Sequence, residues 1–239
     1  MGDVVWAQLR SPAGRLLERP VGGLRQERLE EYEPVWLPER YQGRRAIATW
    51  WHLTGRARHA GCGTLGALEA ALSLEADPEV VTFASWPVRL SWSDGGEGYV
   101  PDFFARLASG QARLLVCRPG DDTSQRWVAT LKLLEAAGQQ AGWQVRVYEG
   151  MADPVVARNL QRLSRWRHVR LADADTARVL RQVFARPQPL TAGVRASGLP
   201  ELSSVARAHH LIWTRELLID WSRPFVPARS LVWSPAGAC

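Results

Sequence analysis

The chain has 239 residues, 46% hydrophobic and 23% charged: room for one large domain or two small ones with a buried core, and not the composition of a disordered or fibrous chain. The net charge is +6 and the pI about 9.9; all but one of the 30 basic residues are arginine, Lys132 being the exception. Arginine suits bidentate phosphate contacts, although a GC-rich coding sequence yields the same bias. No uncharged apolar run approaches the roughly 18 residues of a membrane span. Three cysteines (Cys62, Cys117, Cys239) without a CxxC pair, and the absence of a signal-peptide pattern, lead us to expect a reducing cytoplasm. The 12 tryptophans suit core or interface anchors, with some free to stack on bases.

Residues 1–60 read as a poorly defined N-terminal extension, with short strands at Val4–Leu9 and Arg15–Leu17 and a brief helix at Glu27–Tyr32. Arg40, Arg44, Arg45, Arg56 and Arg58 are scattered through polar sequence, as a solvated face or a basic arm. After the Gly61-Cys62-Gly63 break, Thr64 caps a helix over Leu65–Ala76 that stops at Asp77-Pro78. At about 100° per residue, Leu68, Leu72 and Ala76 align with Leu65, and Glu69 falls about 40° away, on the edge of that stripe. Strands are predicted at Glu79–Phe83 and Val88–Trp92, then a turn at Asp94-Gly95-Gly96. Tyr99–Leu107 and Arg113–Arg118 read as a strand pair turned at Ser109-Gly110 and closed by Pro119. The first of these strands carries a lone carboxylate, Asp102, which is costly among aromatics unless a cation or a strand-end position compensates it.

A helix over Ser124–Ala141 with Val128, Leu131, Leu134 and Ala137 as its stripe, a strand over Trp143–Tyr148 and a helix from Asp153-Pro154 to Trp166 complete a domain over 61–170. The alternation predicts a mixed α/β sheet flanked by helices. Residues 173–239 form a second domain: a helix over Ala174–Ala185, a break at Pro187-Gln188-Pro189, helices over Leu190–Ala196 and Glu201–Trp213, and strands at Leu217–Trp221 and Ser230–Trp233. Three short helices and a hairpin suggest a small winged-helix-like α+β module.

A helix with an inward Glu, a strand with Pro-Asp, a turn and a second strand carrying acid-x-Lys is the arrangement of the PD-(D/E)xK nuclease site. Converging carboxylates hold one or two divalent cations, which lower the pKa of a bound water and stabilise the charge developing on phosphorus. Here Glu69 supplies the helix acid and Pro101-Asp102 the motif acid. Strand alternation places Val116 and Arg118 toward that site and Cys117 away from it, so Val-Cys-Arg stands where acid-x-Lys is wanted. Arg118 keeps a positive charge but cannot act as a general base; the Cys117 carbonyl remains as an oxygen ligand. Lys132, Asp121-Asp122 and His209-His210 are better explained as surface, helix-start and core or surface residues.

The ordered set Leu68-Glu69, Asp77-Pro78-Glu79-Val80-Val81, Pro87–Trp92, Val100–Ala105, Arg118-Pro119, Gly142-Trp143, Asn159-Leu160, His210–Trp213 and Asp220 resembles the TnsA family of transposon-end endonucleases, in particular its actinobacterial members. The resemblance covers residues 60–233. It implies a restriction-endonuclease-like domain followed by a winged-helix domain, and Mg2+-dependent (alternatively Mn2+-dependent) cleavage of the 5′ strands at transposon ends. It also implies double-stranded DNA, a TnsB-like DDE transposase and a TnsC-like AAA+ regulator as partners. By position, Glu69, Asp102 and Arg118 would be catalytic, and Glu69, Asp102 and the Cys117 carbonyl would hold metal. Val116 stands where the family has Gln or an acid, and Trp86 where it often has Gln. The alternatives are a catalytically degenerate DNA-binding or assembly subunit of the same complex, and a restriction-type nuclease unconnected with transposition.

Overall fold

A computed structural model describes residues 4–38, 48–54, 58–94, 97–120 and 122–235. Arg40, Arg44, Arg45 and Arg56 of the predicted arm, Gly95 and Gly96 of the predicted turn, and Asp121 and Cys239 lie outside them. The chain divides into two compact units, Met1–Leu53 with Ala57–Gly150, and Thr54–Arg56 with Met151–Cys239. This division differs from the predicted one at both ends of the first domain. Residues 1–53 belong to the first unit, and the helix after Asp153 belongs to the second.

The first unit is a mixed α/β assembly. In chain order it has β1 (Val5–Arg10), β2 (Leu16–Pro20), β3 (Thr49–His52), β4 (His59–Cys62), α1 (Leu65–Ala76), β5 (Val80–Ser85), β6 (Val88–Trp92), β7 (Phe103–Leu107), β8 (Ala112–Cys117), α2 (Gln125–Ala141) and β9 (Gln144–Tyr148). The central sheet runs β5-β7-β8-β9; β8 and β9 are parallel and the other pairs antiparallel. A second sheet runs β2-β1-β6, and β3 pairs with β4. The pairing of β1 with β6 is what makes the N-terminal residues part of the fold. The segment after β2 is tied in by a buried ion pair, in which the Arg106 guanidinium donates to both carboxylate oxygens of Glu30 at 3.1 Å. The predicted helix over Glu27–Tyr32 is a single 3-10 turn, Leu29–Glu31.

Side-chain alternation gives the central sheet two apolar faces. Phe104, Leu114 and Val116 pack with Leu133, Leu134, Ala137 and Ala141 of α2 and with Ala7, Leu9, Val88 and Leu90 of β1 and β6. Phe103, Ala105 and Leu115 pack on the other side with Ala67, Ala70, Ala71 and Leu74 of α1. Thr64 caps α1 by accepting from the Ala67 N–H at 3.0 Å, as predicted. The buried side of α1 is not the predicted stripe: Leu65 is exposed, and the alanine side rests on the sheet. The helix is apolar almost all round, so periodicity fixes its extent but not its phase, and alanine lets helix and sheet approach closely. In α2 likewise, Val128 is exposed and Trp127 and Leu133 are buried. Between β5 and β6 the chain breaks at Trp86, whose φ of 51° is unusual for a bulky residue. That break sends β6 away from the central sheet to pair with β1. The Trp86 ring is buried, edge-on to Trp36 at 4.9 Å, and the Trp86 backbone N–H donates to the Asp102 carbonyl at 3.1 Å.

The second unit contains α3 (Pro154–Leu163), α4 (Ala174–Val183), β10 (Gln188–Pro189), α5 (Leu190–Ala196), α6 (Glu201–Trp213), β11 (Leu218–Ile219) and β12 (Leu231–Trp233). β12 pairs antiparallel with β11, as predicted for the C-terminal hairpin, and also with β10, which the sequence presented only as a proline break. Leu180, Phe184, Leu190, Val194, Ile212 and Val232 form the core. Asn159, fully buried on α3, donates to the carbonyls of Trp221 (3.1 Å) and Arg223 (2.8 Å) and accepts from the Phe225 N–H (3.0 Å). Those three bonds attach α3 to this unit. His209 and His210 are core residues: His209 stacks on Trp166, and His210 Nδ1 bonds the Trp166 carbonyl at 2.8 Å.

Candidate functional site

The carboxyl-terminal ends of β8 and β9, the start of α1 and the residues leading into β7 surround a cavity of about 690 Å³ in the first unit. Its wall includes Glu69, Asp102, Cys117 and Arg118, all the residues the sequence singled out. It adds Tyr99 and Tyr148.

Asp102 lies one residue before β7, where the strand begins. Its Oδ2 accepts from the Cys117 N–H at 2.7 Å, which spans the ends of β7 and β8. Burial pushes the Asp102 carboxyl up to about 6, against the lowering effect of that backbone donor. The residue read from sequence as a costly carboxylate is therefore held at a strand end by hydrogen bonds that offset its burial only in part. Glu69 is half-buried on the flank of α1, beside the cavity and away from the alanine face that meets the sheet.

The orientation of β8 differs from the prediction. Val116 is fully buried on the α2 side, while Cys117 lines the cavity and packs on the α1 side. Val116 is thus not the residue that replaces the missing acid; the Cys117 side chain stands on the site face. The reason is register. Phe103 pairs with Leu115, and both face α1; two residues on from Leu115 along the strand, Cys117 shares that face. Asp102 reaches the same side because it precedes the regular strand. Burial, and then the Asp102 charge, push the Cys117 thiol up; burial and Asp102 likewise push Cys62 up to about 12. Both sulfurs are therefore thiols at neutral pH.

Arg118 lines the cavity, but its guanidinium is engaged. It donates to Glu149 at 2.8 Å and to the Asp122 carbonyl at 3.2 and 3.3 Å. Tyr148 pairs with Cys117 across the parallel β8–β9 register. Burial, followed by the Glu69 charge, raises its hydroxyl, and its Oη is buried with no hydrogen-bond partner among the described residues. Sequence reading missed Tyr99, Tyr148 and Glu149. The parallel register that sets Tyr148 beside Cys117 leaves no local pattern, whereas Glu149 had a signal in its position directly after the predicted strand Trp143–Tyr148.

Among the described residues no group of three or more His, Cys, Asp or Glu side chains is arranged to hold a metal ion. Asp102 and Glu69 supply two carboxylates to one cavity, which is the protein share that Mg2+ commonly takes while keeping several waters. They are the residues that would hold a divalent cation here. The chain matches no known family model and no curated protein.

Proposed function

We propose that the chain is the endonuclease subunit of a heteromeric DNA transposase, cutting 5′ strands at transposon ends in a Mg2+-dependent reaction. The observation that carries this reading is the convergence of Glu69, Asp102, Cys117 and Arg118, distant in sequence, on one cavity. The mixed β5-β7-β8-β9 sheet with α1 on the acid-bearing side supports a restriction-endonuclease-like first unit. The three helices α4, α5 and α6 with the β10-β12-β11 sheet support a winged-helix second unit.

Bound divalent metal would supply charge neutralisation and an acidified water. The chain's own residues do the remainder. Asp102 is fixed at the cavity wall by the Cys117 N–H, which donates to its Oδ2. Glu69 adds a second negative group from α1. Arg118, already neutralised in part by Glu149, contributes a fixed positive edge rather than a proton acceptor. A TnsB-like transposase and a TnsC-like regulator complete the proposed assembly.

The test is nicking of labelled transposon-end duplex by the full chain with its partner proteins and Mg2+. Asp102→Ala is expected to abolish 5′-strand cuts; cleavage at the parental rate would overturn the assignment. A second reading, a non-catalytic DNA-binding or assembly subunit, is favoured by the lack of a three-ligand cluster among the described residues. It predicts a parent that binds DNA and does not cut it.

A further inference from the structure

The positive charge of the chain is not shared between its halves. Residues 151–239 carry 13 arginines against six acids, net +7, whereas residues 1–150 carry 17 basic residues against 18 acids, net −1. A codon bias toward arginine exchanges one base for another and does not remove acids, so the asymmetry needs a different cause.

Within the second unit the excess is concentrated on α3 and the turns that follow. From Pro154 to Ala172 there are five arginines and no acid. Asp153 starts the helix, its side chain accepting from the N–H groups of Val155 and Val156, and Pro154 occupies the first position. Asn159, Leu160 and Leu163 face inward. Arg158 and Arg162 on α3 and Arg165 in the 3-10 turn Ser164–Trp166 that continues it are exposed, and at about 100° per residue they fall within about 60° of one another on the opposite side. None of the three has an ion-pair partner among the described residues. That sets them apart from Arg178, Arg195 and Arg223, each of which is paired with a nearby carboxylate. At about 1.5 Å rise per residue the three unpaired groups span about 10 Å, the axial length of about three phosphates on one DNA strand.

Helix α6, which ordinary helix-turn-helix geometry would place in a groove, is poorly equipped for that contact. Its exposed start is Glu201, Leu202 and Ser203, and His209 and His210 are buried. Its one arginine, Arg207, is held by Asp173 and the Thr176 hydroxyl.

We infer that the arginine face of α3 and the 3-10 turn that follows it, Arg158, Arg162 and Arg165, is the surface by which the second unit grips the phosphate backbone of duplex DNA. Placing DNA as the occupant rests on the proposed function; placing the grip on α3 rests on the charge and exposure pattern alone. A contact of this kind positions the duplex and reads no bases.

The test is binding of the full chain to a labelled duplex with Ca2+ in place of Mg2+, over a range of salt. The triple variant Arg158→Ala, Arg162→Ala, Arg165→Ala is expected to bind at least about tenfold more weakly, with a log–log salt slope shallower by about 2 to 3. The control Arg178→Ala, Arg195→Ala, Arg223→Ala removes the same net charge from ion-paired positions and is expected to bind within about twofold of the parent. Circular dichroism checks that both variants keep parental helix content. The inference is overturned by an unchanged triple variant, by an equal loss in the control, by a parent that does not bind duplex at low salt, or by α3-dependent binding to phosphatidylserine vesicles in place of DNA. Loss of binding in the triple variant together with undiminished cleavage by Asp102→Ala would leave the α3 surface standing and remove the nuclease reading.

Discussion

Asp102 sets the chemistry of the cavity because its surroundings favour the neutral acid. Burial raises its carboxyl to about 6, and the hydrogen bonds it accepts, the Cys117 N–H foremost, do not cancel that effect. A raised folded-state value means that the native chain binds a proton the unfolded chain has released. The resulting stability is fully present below the ordinary carboxylate range and is lost as pH rises through about 6. Asp102→Asn keeps an acceptor for the Cys117 N–H and removes the charge. In metal-free buffer the variant is therefore expected to melt above the parent at neutral pH, with the difference closing as pH falls toward 4. Thermal melts across that range check it; a constant difference would show that the carboxyl does not titrate where its burial puts it. A bound cation works in the opposite direction, stabilising the carboxylate and lowering the pH at which the parent is protonated.

At the scale of elements, the sequence made the existence and type of most helices and strands readable but not their rotation. Caps and breakers marked α1 from Thr64 to Asp77-Pro78 and α2 from Ser124 to Gly142, because those signals are local. The phase of α1 was hidden by its near-continuous Ala and Leu content. The facing of β8 was hidden because the acid-x-Lys spacing was laid on Val116 and Arg118, whereas the register with Phe103 turns Cys117 to the site side and Val116 to the α2 side. The inversion has a measurable consequence. Val116→Asp places a carboxylate in the α2-side core with nothing to pair it and is expected to cost about 3 kcal/mol or more. Cys117→Asp places the same group at the cavity, where it is expected to tighten Mn2+ binding while costing far less stability. Urea titration with a parallel Mn2+ titration of the two variants separates these positions. Destabilisation by Cys117→Asp as large as that by Val116→Asp would refute the facing of β8.

At the scale of the whole molecule, the candidate site was legible as residues and their order, while the limits of the units were not. Glu69, Asp102 and Arg118 were found because carboxylates and a cation in apolar strands and helices are conspicuous, and all three border the cavity. The role of residues 1–53 was unreadable because it depends on β1 meeting β6 some 80 residues away in sequence, and on Glu30 meeting Arg106. The placement of α3 in the second unit depends on Asn159 and the carbonyls of a distant loop. No helix among the described residues is long and apolar enough to cross a membrane. The two units carry different parts of the proposed work, a nearly neutral one with the carboxylate cavity and a basic one with the α3 arginines. The claim on which the rest depends is that the cavity takes a divalent cation through Asp102. Its most direct test is Mn2+ binding to the full chain near neutral pH, followed by electron paramagnetic resonance, for the parent and for Asp102→Asn. Removing an outer-shell partner of a metal already costs about 10- to 100-fold in affinity, so the variant should bind at least tenfold more weakly than the parent; equal affinity, or no binding by the parent, would contradict the account.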